Sequence, residues 1–232
     1  WEKSINRNAL SAYCRHNYVP EPYSIFDNIF KLLPGHFIVL DNDHLLRDQK
    51  FSPYGDDGDS LRWGPRPYWS QSKIEESHSP SAPQSKLLES SELEQILLST
   101  IENKPISDVP LGALLSGGID SSLIVALTKE VTQGQVKTFT VGFDAKQYDE
   151  AEHARGVASY LGTEHHELYV TADDAQSIIP ELSSIYDEPF ADSSQIPTVL
   201  ISRLARQEVT VALSGDGGDE VFGGYNRYIW GK

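Results

Sequence analysis

From residue 88 onward, short apolar runs alternate with stretches whose apolar residues recur every three to four positions. The runs predict strands at 111–115, 136–142, 165–170 and 209–213. The helical spacing predicts helices at 120–131, 149–160, 173–186 and 195–207. An earlier helix carries Leu93, Ile96, Leu97, Thr100 and Ile101, with Ser90 or Ser91 as its cap. Gly162 fits a helix C-cap before the third strand. This rhythm predicts an α/β fold built on a doubly wound parallel sheet, without internal repeats.

Residues 1–70 carry a different pattern. A short helix is expected over 8–16, with Leu10, Tyr13 and Cys14 on one side and Cys14 as a packing residue. A proline-punctuated stretch follows at 19–23. The segment LPGHFIVLDNDHLLRDQKF predicts a β-hairpin with arms at 36–40 and 44–51 and a turn at 41–43. Between 52 and 66 lies a DDGD-bearing stretch that reads as an exposed loop. Residues 71–88, rich in Ser, Pro and charge, read as a linker. The expected organisation is therefore a β-rich region over 1–70, a linker over 71–88 and the parallel-sheet domain over 89–232.

Charge narrows the partners. The net charge of −15 disfavours a large nucleic-acid surface, which needs Lys and Arg for phosphates. No run of eighteen apolar residues and no signal peptide is visible, so no membrane partner is expected. The single Cys14 cannot form an internal disulfide, which points to a reducing compartment, the cytoplasm. The chain opens on Trp1 and contains no Met, which reads as a piece of a longer or processed protein.

Candidate chemistry sits in two turns, SGGIDSS at 116–122 and SGDGGDE at 214–220. Each follows an apolar run and precedes a helix-competent segment, so both turns would face one crevice at the carboxyl ends of parallel strands. Glycine lets the backbone approach a polyphosphate, and a helix N-terminus offers unpaired N–H groups to anions. The amides of Gly117 and Gly118 and the hydroxyls of Ser116, Ser121 and Ser122 would cradle the phosphates of a polyphosphate ligand. Carboxylates repel bare phosphate, so Asp120 and Asp219 make sense as ligands of Mg2+, one from each turn. The competing reading is two strand-to-helix turns with Ser and Asp as helix caps.

Other polar residues are weaker candidates. His165 and His166 are adjacent in a strand and point to opposite faces, which is poor geometry for a shared metal. Asp144 is either a ribose or amine contact or a plain loop acid. Asp187 and Glu188 precede Pro189 and would end a helix. Asp192, Ser193 and Ser194 would cap the next helix or touch substrate.

SGGIDSS lacks the GK[ST] of the common phosphate loop and resembles instead the pyrophosphate loop of the N-type ATP pyrophosphatases. SGDGGDEVFGGY resembles the hallmark of the synthetase half of glutamine-hydrolysing asparagine synthetases. TVGFD, YDEAEHAR, LGTEHHE and YDEPFADSS followed by IPT extend that resemblance across roughly residues 88–230. It implies an ATP-dependent amide ligase making asparagine from aspartate and glutamine-derived ammonia, through a β-aspartyl-AMP intermediate with pyrophosphate release. It also implies ATP and Mg2+ as cofactors and small molecules as partners, with a homodimer left open. Leu114 and Val141 would flank the adenine, Ser214 and Gly215 would contact the nucleotide, and Asp216 would act in acyl-adenylate formation, where many members carry Glu. Residues 1–70 would be the end of a class II glutaminase domain, with the L-P-G-H element and the Tyr68–Trp69 pair. The glutaminase nucleophile would lie upstream of Trp1 or be missing, and an ATP-activating basic residue would lie beyond Lys232. Members that use aspartate carry an Arg where this chain reads FADSS. An amidotransferase acting on a sugar acid or a β-lactam precursor, and an inactive nucleotide-binding fragment, are the alternatives.

Overall fold

A computed structural model describes residues 3–40, 64–70, 90–102, 109–132, 134–143, 150–225 and 228. The chain divides into two units, one of residues 1–87 with 182–192, the other of residues 88–181 with 193–232.

In the second unit the expected strands form one parallel sheet. They are β3 (Leu111–Leu114), β4 (Lys137–Phe143), β5 (Glu164–Val170) and β6 (Val211–Leu213), in the order β5-β4-β3-β6. Ala113 stands between Thr138 and Leu213 in the register. Helices α2 (Ser90–Glu102), α3 (Ile119–Val131), α4 (Ala151–Leu161) and α7 (Gln195–Arg206) link or flank them. Period-two alternation divides the apolar side chains between two cores. On one face Ala113 and Leu115 pack with Val125 of α3 and Ala154 and Ala158 of α4. On the other, Phe139 packs with Ala205 and Val209, against Leu114 and, on α7, Ile201 and Leu204. Helices on both faces make the sheet doubly wound, as the alternation predicted.

The chain steps outward from β3 to β4 to β5 and then returns to the far side of β3 for β6. The strand order therefore reverses between β3 and β6, where open α/β sheets form a ligand crevice.

The predicted helix over 173–186 is broken. Helix α5 (Ala172–Ile178) gives way to a 3-10 turn, Ile179–Glu181, and then to the short α6 (Leu182–Ile185). Pro180 lies in that turn and has no N–H to donate, so the helical hydrogen-bond ladder is interrupted there. Thr171 opens α5 with a capping box closed by Asp174.

In the first unit, α1 (Arg7–His16) starts at Asn6, whose side chain accepts from the amides of Asn8 (3.0 Å) and Ala9 (3.1 Å). Its inward face carries Ala9 and Tyr13, which pack with Val19, Ile25 and Phe26. Cys14 is exposed, contrary to the packing role expected of it. It lies one residue, about 100°, round the helix from Tyr13. The strand β1 (His36–Phe37) pairs antiparallel with β2 (Arg66–Pro67), a partner the sequence did not indicate. The expected turn at 41–43 and return arm at 44–51 lie outside the described residues, as does the linker at 71–88. Residues 182–192 are stitched into this unit. Glu188 accepts from the Ile25 amide (3.1 Å) and from Lys31 Nζ (2.5 Å), and the Ala191 amide donates to Asn17 O (2.7 Å). Glu188 thus acts as an anchor, not as the helix end expected of it, since α6 already stops at Ile185.

Candidate active site: a two-loop crevice

Strand β3 ends where Leu115 donates its amide to Phe139 O (2.9 Å) and its carbonyl accepts the Thr140 hydroxyl. The next three residues, Ser116–Gly118, turn into α3. Ser121, buried to 8% exposure, closes the turn from the helix side. Its hydroxyl accepts from the Ser116 amide (3.2 Å), lies 2.9 Å from Ser116 Oγ and donates to Gly118 O (3.3 Å). The Gly118 amide donates to Ser116 Oγ (3.3 Å). Gly117 has φ +80°, and a Cβ there would lie 2.7 Å from the Ala154 amide nitrogen of α4. Only glycine meets both conditions at once. Helix α3 has no side-chain cap, which leaves its first turn for a ligand.

Strand β6 runs into the second turn, which leads to α8 (Gly218–Phe222). Ser214 Oγ donates to Asp216 Oδ2 (3.0 Å). A Cβ on Gly215 would lie 2.8 Å from the Ser121 amide nitrogen, and one on Gly218 would lie 2.5 Å from Asp120 Oδ2. The second turn is thus packed directly against the start of α3, with Asp120 seated on Gly218.

Between the turns opens a crevice of about 890 Å3. The structure brings Leu114, Ser116, Gly118, Asp120, Ser121, Val141, Ser214, Gly215, Asp216 and Asp219 to its walls. Gly117 and Ser122 are not among its lining residues. Gly117 faces α4 instead. Asp144 lies outside the described residues. Asp192 belongs to the segment of the first unit. Thr140, Glu150 and Thr198 line the crevice and were missed by the sequence reading. Glu150 was findable, because it directly precedes α4 in the connection after β4, whose carboxyl end faces the same way as those of β3 and β6.

The electrostatics are one-sided. Asp120, Glu150, Asp216 and Asp219 line the crevice, and no Lys, Arg or His is among the described lining residues. Oxygen-only donors suit a hard divalent cation such as Mg2+.

Shifted titrations lie elsewhere. Arg155 forks onto Glu167 through Nε (2.7 Å) and Nη2 (2.6 Å), which raises the guanidinium and holds the Glu167 carboxyl below its ordinary value. His165 is held below 6.5, chiefly by burial, with Nδ1 2.9 Å from Thr138 Oγ1. His166 stacks on Phe139 at 5.2 Å, so the two histidines do point to opposite faces. Glu164, His166 and Glu208 gather their ligand atoms within 4.8 Å. Lys137 already closes that group, 2.5 Å from Glu208 and 3.4 Å from Glu164. The ion pair raises the lysine and lowers Glu208.

The asparagine synthase family model matches residues 92–231. The chain belongs to the asparagine synthase family. It is 38% identical over 231 residues to a putative asparagine synthetase [glutamine-hydrolyzing] 2 of Methanocaldococcus jannaschii, covering 99% of this chain and 40% of that protein. It is 32% identical over 224 residues to asparagine synthetase [glutamine-hydrolyzing] 1 of Bacillus subtilis, covering 97% of this chain and 32% of that protein. The chain therefore spans well under half the length of these members of the asparagine synthase family. Among solved structures, a glutamine-dependent NAD+ synthetase from Acinetobacter baumannii is similar at TM-score 0.44 and 23% identity, over 62% of this chain and 28% of that one. That likeness adds nothing to the parallel sheet seen directly. Among the described residues, no helix is long and apolar enough to cross a membrane.

Proposed function

We propose that the crevice binds ATP with Mg2+, and that the chain carries the nucleotide-binding part of an amide ligase. The reaction is asparagine formation from aspartate, ATP and glutamine-derived ammonia. Residues 1–70 then belong to the end of a glutaminase domain, and 89–232 to the synthetase domain.

One observation carries this reading. Two Gly- and Ser-bearing turns meet at the reversal of strand order, around four carboxylates and no cationic side chain among the described lining residues. A triphosphate enters such a place only with a divalent cation to offset the repulsion.

The roles follow from position. The free amides at the start of α3, with Ser116 and Gly118, receive the phosphates. Leu114 and Val141 flank the adenine, and Ser214 and Gly215 contact the nucleotide. Asp120 and Asp219 would hold Mg2+, which neutralises phosphate charge when bound. The aspartate side-chain carboxylate attacks the α-phosphorus, the bond to the β-phosphate oxygen breaks, and pyrophosphate leaves. Asp216 stands beside that reaction, held by Ser214. Ammonia then attacks the acyl carbon, AMP departs, and the amide nitrogen loses a proton. Catalysis rests on positioning and on charge neutralisation.

The test is exchange of labelled pyrophosphate into ATP, run with aspartate and a panel of other carboxylates on a protein extended to the length of the relatives. Exchange that needs aspartate and is lost in Asp120→Asn is expected. Exchange with another carboxylate alone would redirect the substrate, and undiminished exchange in Asp120→Asn would remove the cation role of that residue.

A further inference from the structure

The peptide unit joining Leu115 to Ser116 is held at both of its polar ends by hydroxyl groups. Its carbonyl oxygen accepts the Thr140 hydroxyl, from β4. Its N–H donates to Ser121 Oγ (3.2 Å), from α3. A peptide unit is planar, so fixing both ends fixes the orientation of the plane. Backbone pairing with β4 ends at the Leu115 amide on Phe139 O, one residue past the end of β3 at Leu114. Thr140 is 2% exposed and still belongs to the crevice lining, so it lies at the floor of the site. The amides of Gly117 and Gly118 follow two and three residues after Leu115, and the Gly118 amide already leans on Ser116 Oγ (3.3 Å). Rotating the 115–116 plane would swing both.

We propose that Thr140 is a positioning residue of the phosphate turn. Its hydroxyl sets the 115–116 peptide plane and thereby aims the crevice-lining Ser116 and Gly118 at the ligand. This rests on the nucleotide reading of the crevice. The geometry explains why a strand residue flanked by Phe139 and Val141 carries a hydroxyl. Valine would fill the same volume but could not donate, whereas serine keeps the donor and loses only a methyl group.

The test compares Thr140→Val and Thr140→Ser in the whole chain. Mg·ATP affinity is read by calorimetry, and backbone amide resonances are recorded without nucleotide. Thr140→Val is expected to weaken Mg·ATP about tenfold, because a phosphate turn displaced by a fraction of an ångström loses part of its alignment with the ligand. Thr140→Ser is expected to stay within about twofold. The amides of residues 116–119 should shift in the valine variant and hold in the serine variant. A valine variant that binds like wild type, or a serine variant as weak as valine, overturns the proposal. If wild type itself fails to bind Mg·ATP, the nucleotide reading falls. The amide shifts then decide the clamp alone, and unmoved amides in Thr140→Val overturn it.

Discussion

Gly218→Ala separates a steric glycine from a conformational one. Gly218 does not have a positive φ, so alanine meets no backbone objection there. Space is the obstacle. The new Cβ would lie 2.5 Å from Asp120 Oδ2 and 2.9 Å from Asp120 Cβ, where ordinary contact begins at 3.4 Å. A side-chain rotation can remove the first overlap but not the second, because Asp120 Cβ is fixed to the first turn of α3. The second turn must therefore retreat by at least half an ångström, moving Asp219 with it. Misplacement on the order of 1 Å in a site of this kind can cost about a hundredfold. We expect Mg·ATP binding, measured by calorimetry, to weaken by roughly ten- to a hundredfold. Overpacking should cost about 1–3 kcal/mol of stability. Gly156→Ala is the control. It lies in α4 with nothing within 4 Å of the added carbon. It should gain about 0.5–1 kcal/mol and leave nucleotide binding alone. If Gly218→Ala binds Mg·ATP like wild type, the contact between the turns does not shape the site.

Binding of adenosine should be indifferent to EDTA, binding of AMP weakened and binding of ATP abolished; ATP that binds equally well in EDTA would contradict a cation-bridged crevice. Phe139→Ala empties a fully buried site between α7 and β4 and should cost about 3–5 kcal/mol in urea unfolding followed by circular dichroism. Acid should destabilise in two steps. The contribution of His165, whose folded value lies below 6.5, is present above pH 6.5 and is lost as pH falls through that folded value. That of Glu167, lowered by Arg155, is present above pH 4.5 and is lost as pH falls further. His165→Gln should flatten the first step and Glu167→Gln the second, as read by urea midpoints across pH. Unchanged profiles would show that these groups titrate alike in the folded and unfolded chains.

Much of the second unit was legible because its signals are local. The strands announce themselves as short apolar runs, and Gly162 marks a helix end by residue type. Pro180 broke a periodicity that its neighbours continued, because leucine and isoleucine spacing does not register a missing N–H. The two turns were legible through glycine and aspartate, whereas Thr140 was not. A threonine in a strand reads as an ordinary β-former, and its carbonyl partner lies 25 residues away in sequence. Cys14 failed for a different reason. A short helix with small apolar residues on several sides has no unique inward face until Val19 and Ile25 choose one. The anchoring of Glu188 on Ile25 and Lys31 depends on a long-range pairing that periodicity cannot encode.

The two turns make more sense as one unit than as a repeated motif. An aspartate at the start of α3 would by itself be a favourable neighbour of the helix N-terminus, and it would need no glycine elsewhere. Here its carboxylate instead fills the space above Gly218, and the Ser121 amide faces Gly215. A side chain at either position would overlap the start of α3 and push the two turns apart. Gly217 differs from both, with φ +92° and nothing within 4 Å, so it supplies the bend and not the clearance. Ser214 ties back Asp216, and Asp219 brings the second charge to the crevice wall. Gly215 and Gly218 of S-G-D-G-G-D thus answer the first turn, while Ser214 and Gly217 shape the second turn itself. Such mutual fitting would be pointless for two independent helix caps. It is the arrangement that the proposed cation between Asp120 and Asp219 would need.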